Sequence, residues 1–433
     1  MGEHIIILYN DSIDSDNWAA QRAVIRATKP RNSNTRIIWI FEPRQVSLGL
    51  NKSADQQRRC LSLITKHFPD HGKPFKVLLG GLLTEPDVEG VPGLSEEDKE
   101  TLRLAIKPPY GPKEDAFLHR ELVAWDHAAA LNAWLDAPVE VFVDLDGFEQ
   151  VHNPVNLFFH RQEELVARSE QELLRYDNIM EEPLPQRLDS LREWYRTCTK
   201  TAEEEIGGSG NSVKQLELDS LCETINSAES VLFLGGASLG ILQRFIEKGV
   251  ADKVNCHLQI GTCDLALNLF PNQFNIALNP TAAEFVFKHF SDFADFVVVP
   301  SHSAQNAQYS LVGLKKEGGP TMERRCLGFN CGEEPLKMAR AQVSLDKNYP
   351  DRKAPMSDLT AFLYALKPGF GNAKKGFVQV ENRKGTLLFR TSESGIKMYD
   401  LKEPIKFEAD EVVALLDSLE KEKKTQDNNT GWE

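Results

Sequence analysis

The stretch "IIILYNDSIDSDNW", residues 5–18, runs a branched apolar segment straight into three aspartates, Asp11, Asp14 and Asp16. A short continuous apolar run ending in polar residues reads as a strand buried on both faces, the kind found in parallel sheets. Outward along the chain the pattern recurs in "TRIIWIF", "FKVLLGG", "VEVFVDL", "SVLFLGG", "NCHLQIG" and "DFVVVPS". Several of these runs are separated by segments of helical period. In "SADQQRRCLSLITKHF", Leu61, Ile64 and Phe68 share one helical face behind Ser53 as N-cap. Strand and helix in alternation predict an α/β fold whose mostly parallel central sheet is flanked by helices.

The bulk composition narrows the ligand. The chain has 433 residues, 41% of them hydrophobic, enough for a large core in two domains or in one domain with a sizeable insertion. A formal net charge of −14 argues against nucleic acid and against anionic membrane surfaces as partners, and for a small or neutral molecule. There is no run of about 18 apolar residues and no secretory leader pattern, so the expected location is cytoplasmic. Seven cysteines, Cys60, Cys198, Cys222, Cys256, Cys263, Cys326 and Cys331, lie at scattered spacings without a C-x-x-C and read as reduced thiols. The strand and helix alternation assigns 1–105 and 213–420 to the α/β unit. Residues 106–212, charge-rich and helical by period around the "VEVFVDL" strand, read as an insertion ending in the linker-like "GGSGNS". Residues 421–433 read as a flexible tail.

In open α/β sheets ligands gather beyond the carboxyl ends of the strands, which is where the acidic loop lies. Its carboxylates repel one another and lose solvation unless a cation meets them; hard oxygens without Cys or His suit Ca²⁺ or Mg²⁺. The same residues also read as turn formers, with Asp16 capping the helix that starts at "NWAAQRAVI". Spacing alone leaves both readings open.

Five segments in order resemble the inosine-uridine preferring nucleoside hydrolase family, of which the chain looks like a divergent member. The first strand and its loop resemble that family's D-x-D-x-x-x-D-D stretch. "QVSLGLNKSADQQRRCLSLI" and "SVLFLGGASLGIL" are similar to its second strand region and its mid-chain strand, turn and helix. "QFNIALNPTAAEFVF" is similar to E-F-N-I-x-x-D-P-E-A-A, and "MSDLTAFLYALKPGF" to an H-D-P stretch near the C-terminal third. The resemblance covers roughly 5–105 and 213–418. It implies an α/β domain that cleaves the N-glycosidic bond of a ribonucleoside or related N-riboside, a Ca²⁺ ion in the site, and a homo-oligomer. Carried over, it places Asp11 as the water-activating base and a metal ligand, Asp16 and Asp358 as further carboxylate ligands, and the backbone of Ser238 as a carbonyl ligand. Asn275 takes the place of a ribose contact. The chemistry is coherent: N-glycoside cleavage builds positive charge on the sugar, which carboxylates stabilise while a base activates water.

The resemblance breaks at working positions. Ser15 stands where an aspartate grips ribose, with Asp14 as its neighbouring substitute; Gln45 replaces an asparagine, Gln273 a glutamate and Ser357 a histidine that protonates the departing base. Trp18, Trp125, Trp134 and Trp194 are candidates to stack on a base instead, and His119, His127, His152 and His160 to supply an acid, although core and surface roles are the commoner fate of such residues. These losses support an alternative: a catalytically impaired relative acting as a ligand sensor or interaction scaffold. Three other signals are weak. Asp144 and Asp146 in "FVDLDGF" echo a phosphotransferase motif at the wrong place in the chain. "LGGASLG" lacks the G-x-G-x-x-G spacing, and "SHS" at 301–303 lacks a nucleophile elbow, leaving His302 as a loop residue near the pocket.

Overall fold

The computed structural model describes residues 2–10, 15–28, 34–42, 54–71, 83–106, 139–144, 214–268, 272–322, 351, 353–367 and 369–421, with scattered positions between 171 and 197. The strands are β1 (His4–Asn10), β2 (Thr35–Phe41), β3 (Val139–Val143), β4 (Lys214–Gln215), β5 (Ser230–Gly236), β6 (Val254–Gln259), β7 (Asp295–Val299), β8 (Ala307–Ser310), β9 (Lys353–Pro355), β10 (Lys374–Arg383), β11 (Thr386–Ser392), β12 (Ile396–Asp400) and β13 (Ile405–Phe407). The helices are α1 (Ser15–Thr28), α2 (Ala54–His67), α3 (Glu85–Glu89), α4 (Glu96–Ile106), α5 (Leu218–Ser227), α6 (Gly240–Glu247), α7 (Phe274–Leu278), α8 (Pro280–Lys288), α9 (Ser301–Ala304), α10 (Leu311–Met322), α11 (Ser357–Leu366) and α12 (Ala409–Lys421).

Ten strands form one sheet in the order β11-β10-β12-β7-β6-β5-β1-β2-β3-β4, parallel from β12 through β4 and antiparallel only where β10 pairs with β11 and with β12. A second, three-stranded sheet has the order β13-β8-β9. The fold is therefore the α/β class expected, with a mostly parallel sheet flanked by helices. Six of the seven apolar runs are strands of it; "FKVLLGG" lies outside the described residues. β3, from within the stretch 106–212, pairs in register with β2, so part of that stretch belongs to the main sheet.

The first strand shows why the sheet is covered on both sides. Ile6 and Leu8 pack on one face with Trp18, Trp39, Leu359 and Phe362, while Ile5, Ile7 and Tyr9 pack on the other with Phe233, Ile241 and Phe245. Side chains alternate along a strand, so a run apolar at every position needs a core above and below. Helix α11 is buried from Asp358 to Leu366, a helix apolar nearly all round and enclosed accordingly. In α2, Ile64 and the following Phe68 are buried and Leu61 is partly so. Trp18 and Trp194 are core residues, each 1% exposed; Trp125, Trp134 and the four histidines of 106–212 lie outside the described residues. Cys60, Cys222 and Cys256 are buried free thiols and Cys263 a partly buried one. No helix among the described residues is long and apolar enough to cross a membrane.

Candidate functional site

From β1 the chain steps outward to β2, β3 and β4 on one side, then returns to lay β5, β6 and β7 on the other. The strand order reverses between β1 and β5, and a crevice opens there beyond the strand ends. Five of these strands end in, or run directly into, a polar group. Asn10 closes β1, Glu42 follows β2, Asp144 follows β3, Gln259 closes β6, and Ser301 stands two residues beyond β7.

An open cleft of about 180 Å³ occupies this edge. Its acids are Asp16 and Asp358, and amides dominate the remainder, with Asn17, Gln259, Asn268, Gln273, Asn275 and Gln305 on its walls. Ser301 and Ser357 add hydroxyls, and Leu267 and Phe274 add apolar surface. Asp16 stands in the first turn of α1, and its Oδ2 accepts the backbone N–H groups of Ser357 at 3.0 Å and Asp358 at 3.3 Å. It thus caps α11 from 341 residues away, and the helix N-terminus stabilises its negative charge. Asp358 is 4% exposed and turns its carboxylate onto the end of β5: a Cβ on Gly236 would lie 1.9 Å from its Oδ2.

Beside Asp358 lies a chain of amides. Asn10 Nδ2 donates to Asp358 Oδ2 at 3.0 Å and to Asn17 Oδ1 at 2.5 Å, while Gln21 Nε2 donates to Asn10 Oδ1 at 3.2 Å. Glu42, 1% exposed, accepts both the N–H of Ser238 at 3.1 Å and its Oγ–H at 2.7 Å, tying β2 to the turn after β5. Gln273 is the N-cap of α7: its Oε1 accepts from the N–H of Asn275 at 3.1 Å and of Gly261 at 3.2 Å. Asn275 donates its own amide to the backbone and side-chain oxygens of Gln259 at 2.8 and 2.9 Å. Asn268 lines the cleft, and its buried Oδ1 has no hydrogen-bond partner among the described residues.

Of the residues singled out in the sequence, Asp16, Gln273, Asn275, Ser357 and Asp358 meet in this cleft. Ser238 is outside the lining, its side chain turned to Glu42. Asp11, Asp14 and Gln45 lie outside the described residues, as does the side chain of Ser15, whose backbone opens α1. Asp144 is buried and accepts from Tyr9 Oη at 3.1 Å and from the Arg244 guanidinium, which leaves its role one of tying β3 to β1 and α6. His302 stands in the short helix α9 rather than in a loop. Its Nδ1 accepts the N–H of Cys263 at 3.2 Å, and burial lowers its pKa. Asn10, Asn17, Glu42, Gln259, Asn268 and Gln305 were not singled out. The signal that would have found several of them is a polar residue at the carboxyl end of an apolar strand.

Calcium takes roughly six to eight oxygen ligands. Among the described residues no three His, Cys, Asp or Glu side chains are grouped to hold a metal ion. The Asn10 amide also presents N–H, a donor that repels a cation, to one oxygen of Asp358. Asp16 and Asp358, the described carboxylates of the cleft, do not by themselves make up a calcium shell.

Fold and site together define a doubly wound α/β protein with a cleft of acids and amides at its topological switch point. No family model and no curated protein matches the sequence. Among solved structures the chain is similar to an inosine-uridine preferring nucleoside hydrolase from Bacillus anthracis, at 11% identity and a TM-score of 0.44 over 96% of this chain and 99% of that one. It is similar to the effector protein XOO4466 at 12% identity and 0.44, over 98% and 94%. A third is the type III effector protein XopQ complexed with adenosine diphosphate ribose, at 11% and 0.42, over 98% and 94%. Likeness of this degree assigns no activity, ligand or partner to the chain.

Proposed function

We propose that the cleft binds the ribosyl group of a nucleoside or related N-riboside. The observation that carries this reading is the meeting of Asp16 and Asp358, from opposite ends of the chain, in a cleft otherwise walled by amides and hydroxyls. Carboxylates accept from sugar hydroxyls, amides both donate and accept, and Leu267 and Phe274 offer apolar surface to a flat base. The reaction suited to such a cleft is hydrolysis of the N-glycosidic bond, with Asp11 as the base that activates water and the neighbouring carboxylates stabilising the cationic sugar. A second reading, a sensor or scaffold that binds without turnover, is favoured by the neutral Asn10 amide beside Asp358.

Calorimetry against a panel of nucleosides, free ribose and adenosine diphosphate ribose tests binding, and release of reducing sugar tests turnover. Asp16→Asn removes a charged acceptor and is expected to weaken riboside binding by roughly ten- to a hundredfold, the range of a charged hydrogen bond. If no member of the panel binds, the reading is wrong. Turnover lost in Asp11→Asn supports the hydrolase; binding without turnover in the parent protein supports the sensor.

A further inference from the structure

We propose that this site works without a metal ion, the Asn10 side-chain amide meeting the charge of Asp358 where a cation would otherwise sit, so that ligand binding in the cleft is independent of calcium. The clause about ligand rests on the riboside reading above; the clause about the ion does not.

The amide is fixed in direction by what surrounds it. A carboxylate accepts and does not donate, so the Asn10 atom 3.0 Å from Asp358 Oδ2 is the nitrogen. The other end of the amide is then an acceptor, and Gln21 Nε2 donates to it at 3.2 Å. Asn10 and Gln21 are both 0% exposed and Asn17 1%. Turning Asn10 over to admit an ion would strand polar groups in a buried chain, each at a cost that makes the turn unfavourable. Asp16 is engaged as well, with Oδ2 taken by two N–H groups at the start of α11. The turn after β5 is held by Glu42, which takes the N–H and the hydroxyl of Ser238.

Side-chain direction adds an independent line. Tyr9 faces the opposite side of the sheet, bonded to Asp144 and packed near Phe233, whereas Asn10 faces Asp358. An amide closes the strand, Asn10, and its hydrogen-bonded partner in the first turn of α1, Asn17, is another, where a hard cation calls for carboxylates.

The test uses the full chain, stripped with EDTA and returned to calcium. The parent protein is expected to carry no stoichiometric calcium by elemental analysis and to show the same melting temperature with calcium as with EDTA. Asn10→Asp combined with Asn17→Asp is expected to gain a melting temperature that rises with calcium, and a calcium affinity at least about tenfold above the parent's, since ligand charge sets affinity at such sites. Asn17→Asp alone serves if the double variant does not fold in EDTA, with a smaller rise in the same direction. One calcium per chain in the parent, or a parent stabilised by calcium as much as the variant, overturns the proposal. Failure of every riboside to bind overturns the functional reading and leaves the metal measurement to stand by itself.

Discussion

Gly236 and Asp358 show how closely this site is built at the scale of single residues. A methyl group on Gly236 would fall 1.9 Å from Asp358 Oδ2 and 2.2 Å from its Cγ, so the carboxylate has to move if the residue gains a side chain. Gly236→Ala is expected to displace Asp358 from the Asn10 amide and from the cleft. The expected loss is about 1–3 kcal/mol of stability, typical of overpacking, together with weaker riboside binding. Urea denaturation and calorimetry on the same preparation check both; an unchanged midpoint would show that the strand end yields without disturbing the carboxylate. Gln273 carries a different lesson. Its oxygen caps α7, a task either glutamine or glutamate can perform, so the residue type at 273 sets the charge at this place without changing the architecture.

At the scale of elements, the C-terminal strands β10, β11 and β12 are not among the apolar runs that mark the sheet in the sequence. β10 and β11 pair antiparallel with Arg383 opposite Thr386, leaving Lys384 and Gly385 as a two-residue turn with φ of 53° and 87°. Both residues of such a turn have positive φ, which glycine adopts freely and lysine does not. The signal was present as "KG" between "FVQVENR" and "TLLFRTS", but Lys-Gly is a weaker turn marker than Asn-Gly and β10 is mostly exposed. Lys384→Asn is expected to stabilise the protein by about 0.5–1 kcal/mol, read as a rise in melting temperature. α11 was legible only in part. The apolar run in "SDLTAFLYAL" marks a buried element, but nothing local says that its first N–H groups are capped by Asp16.

At the scale of the whole molecule, the central sheet sets the response to acid. His257 on β6 stacks against Tyr399 of β12, and its Nδ1 has no hydrogen-bond partner among the described residues. Burial, aided by Lys397 and Lys375 and opposed by Asp295, holds its pKa down to about 4 from an ordinary 6.5. Between these values the unfolded chain binds a proton that the folded one does not. Stability therefore falls as pH drops from about 6.5 to about 4 and is unaffected by this group above that window. His257→Gln is expected to flatten that limb, by about 1–3 kcal/mol across the window, when urea midpoints are compared at successive pH values. The homo-oligomer implied by the sequence resemblance is a separate proposal, checked by light scattering on the purified chain.

The sequence by itself determined the class of fold, because the apolar runs and helical periods that specify an α/β sheet are local properties, read one segment at a time. It also marked the carboxyl end of β1 as the place to look. Tertiary structure alone decided which groups meet there. Asp16, Asp358 and Asn10 are brought together by the crossover that sets β1 between β2 and β5, and the strand's alternation turned Asn10, not Tyr9, toward Asp358. Contacts across more than three hundred residues are a matter of packing, which no window along the chain can contain.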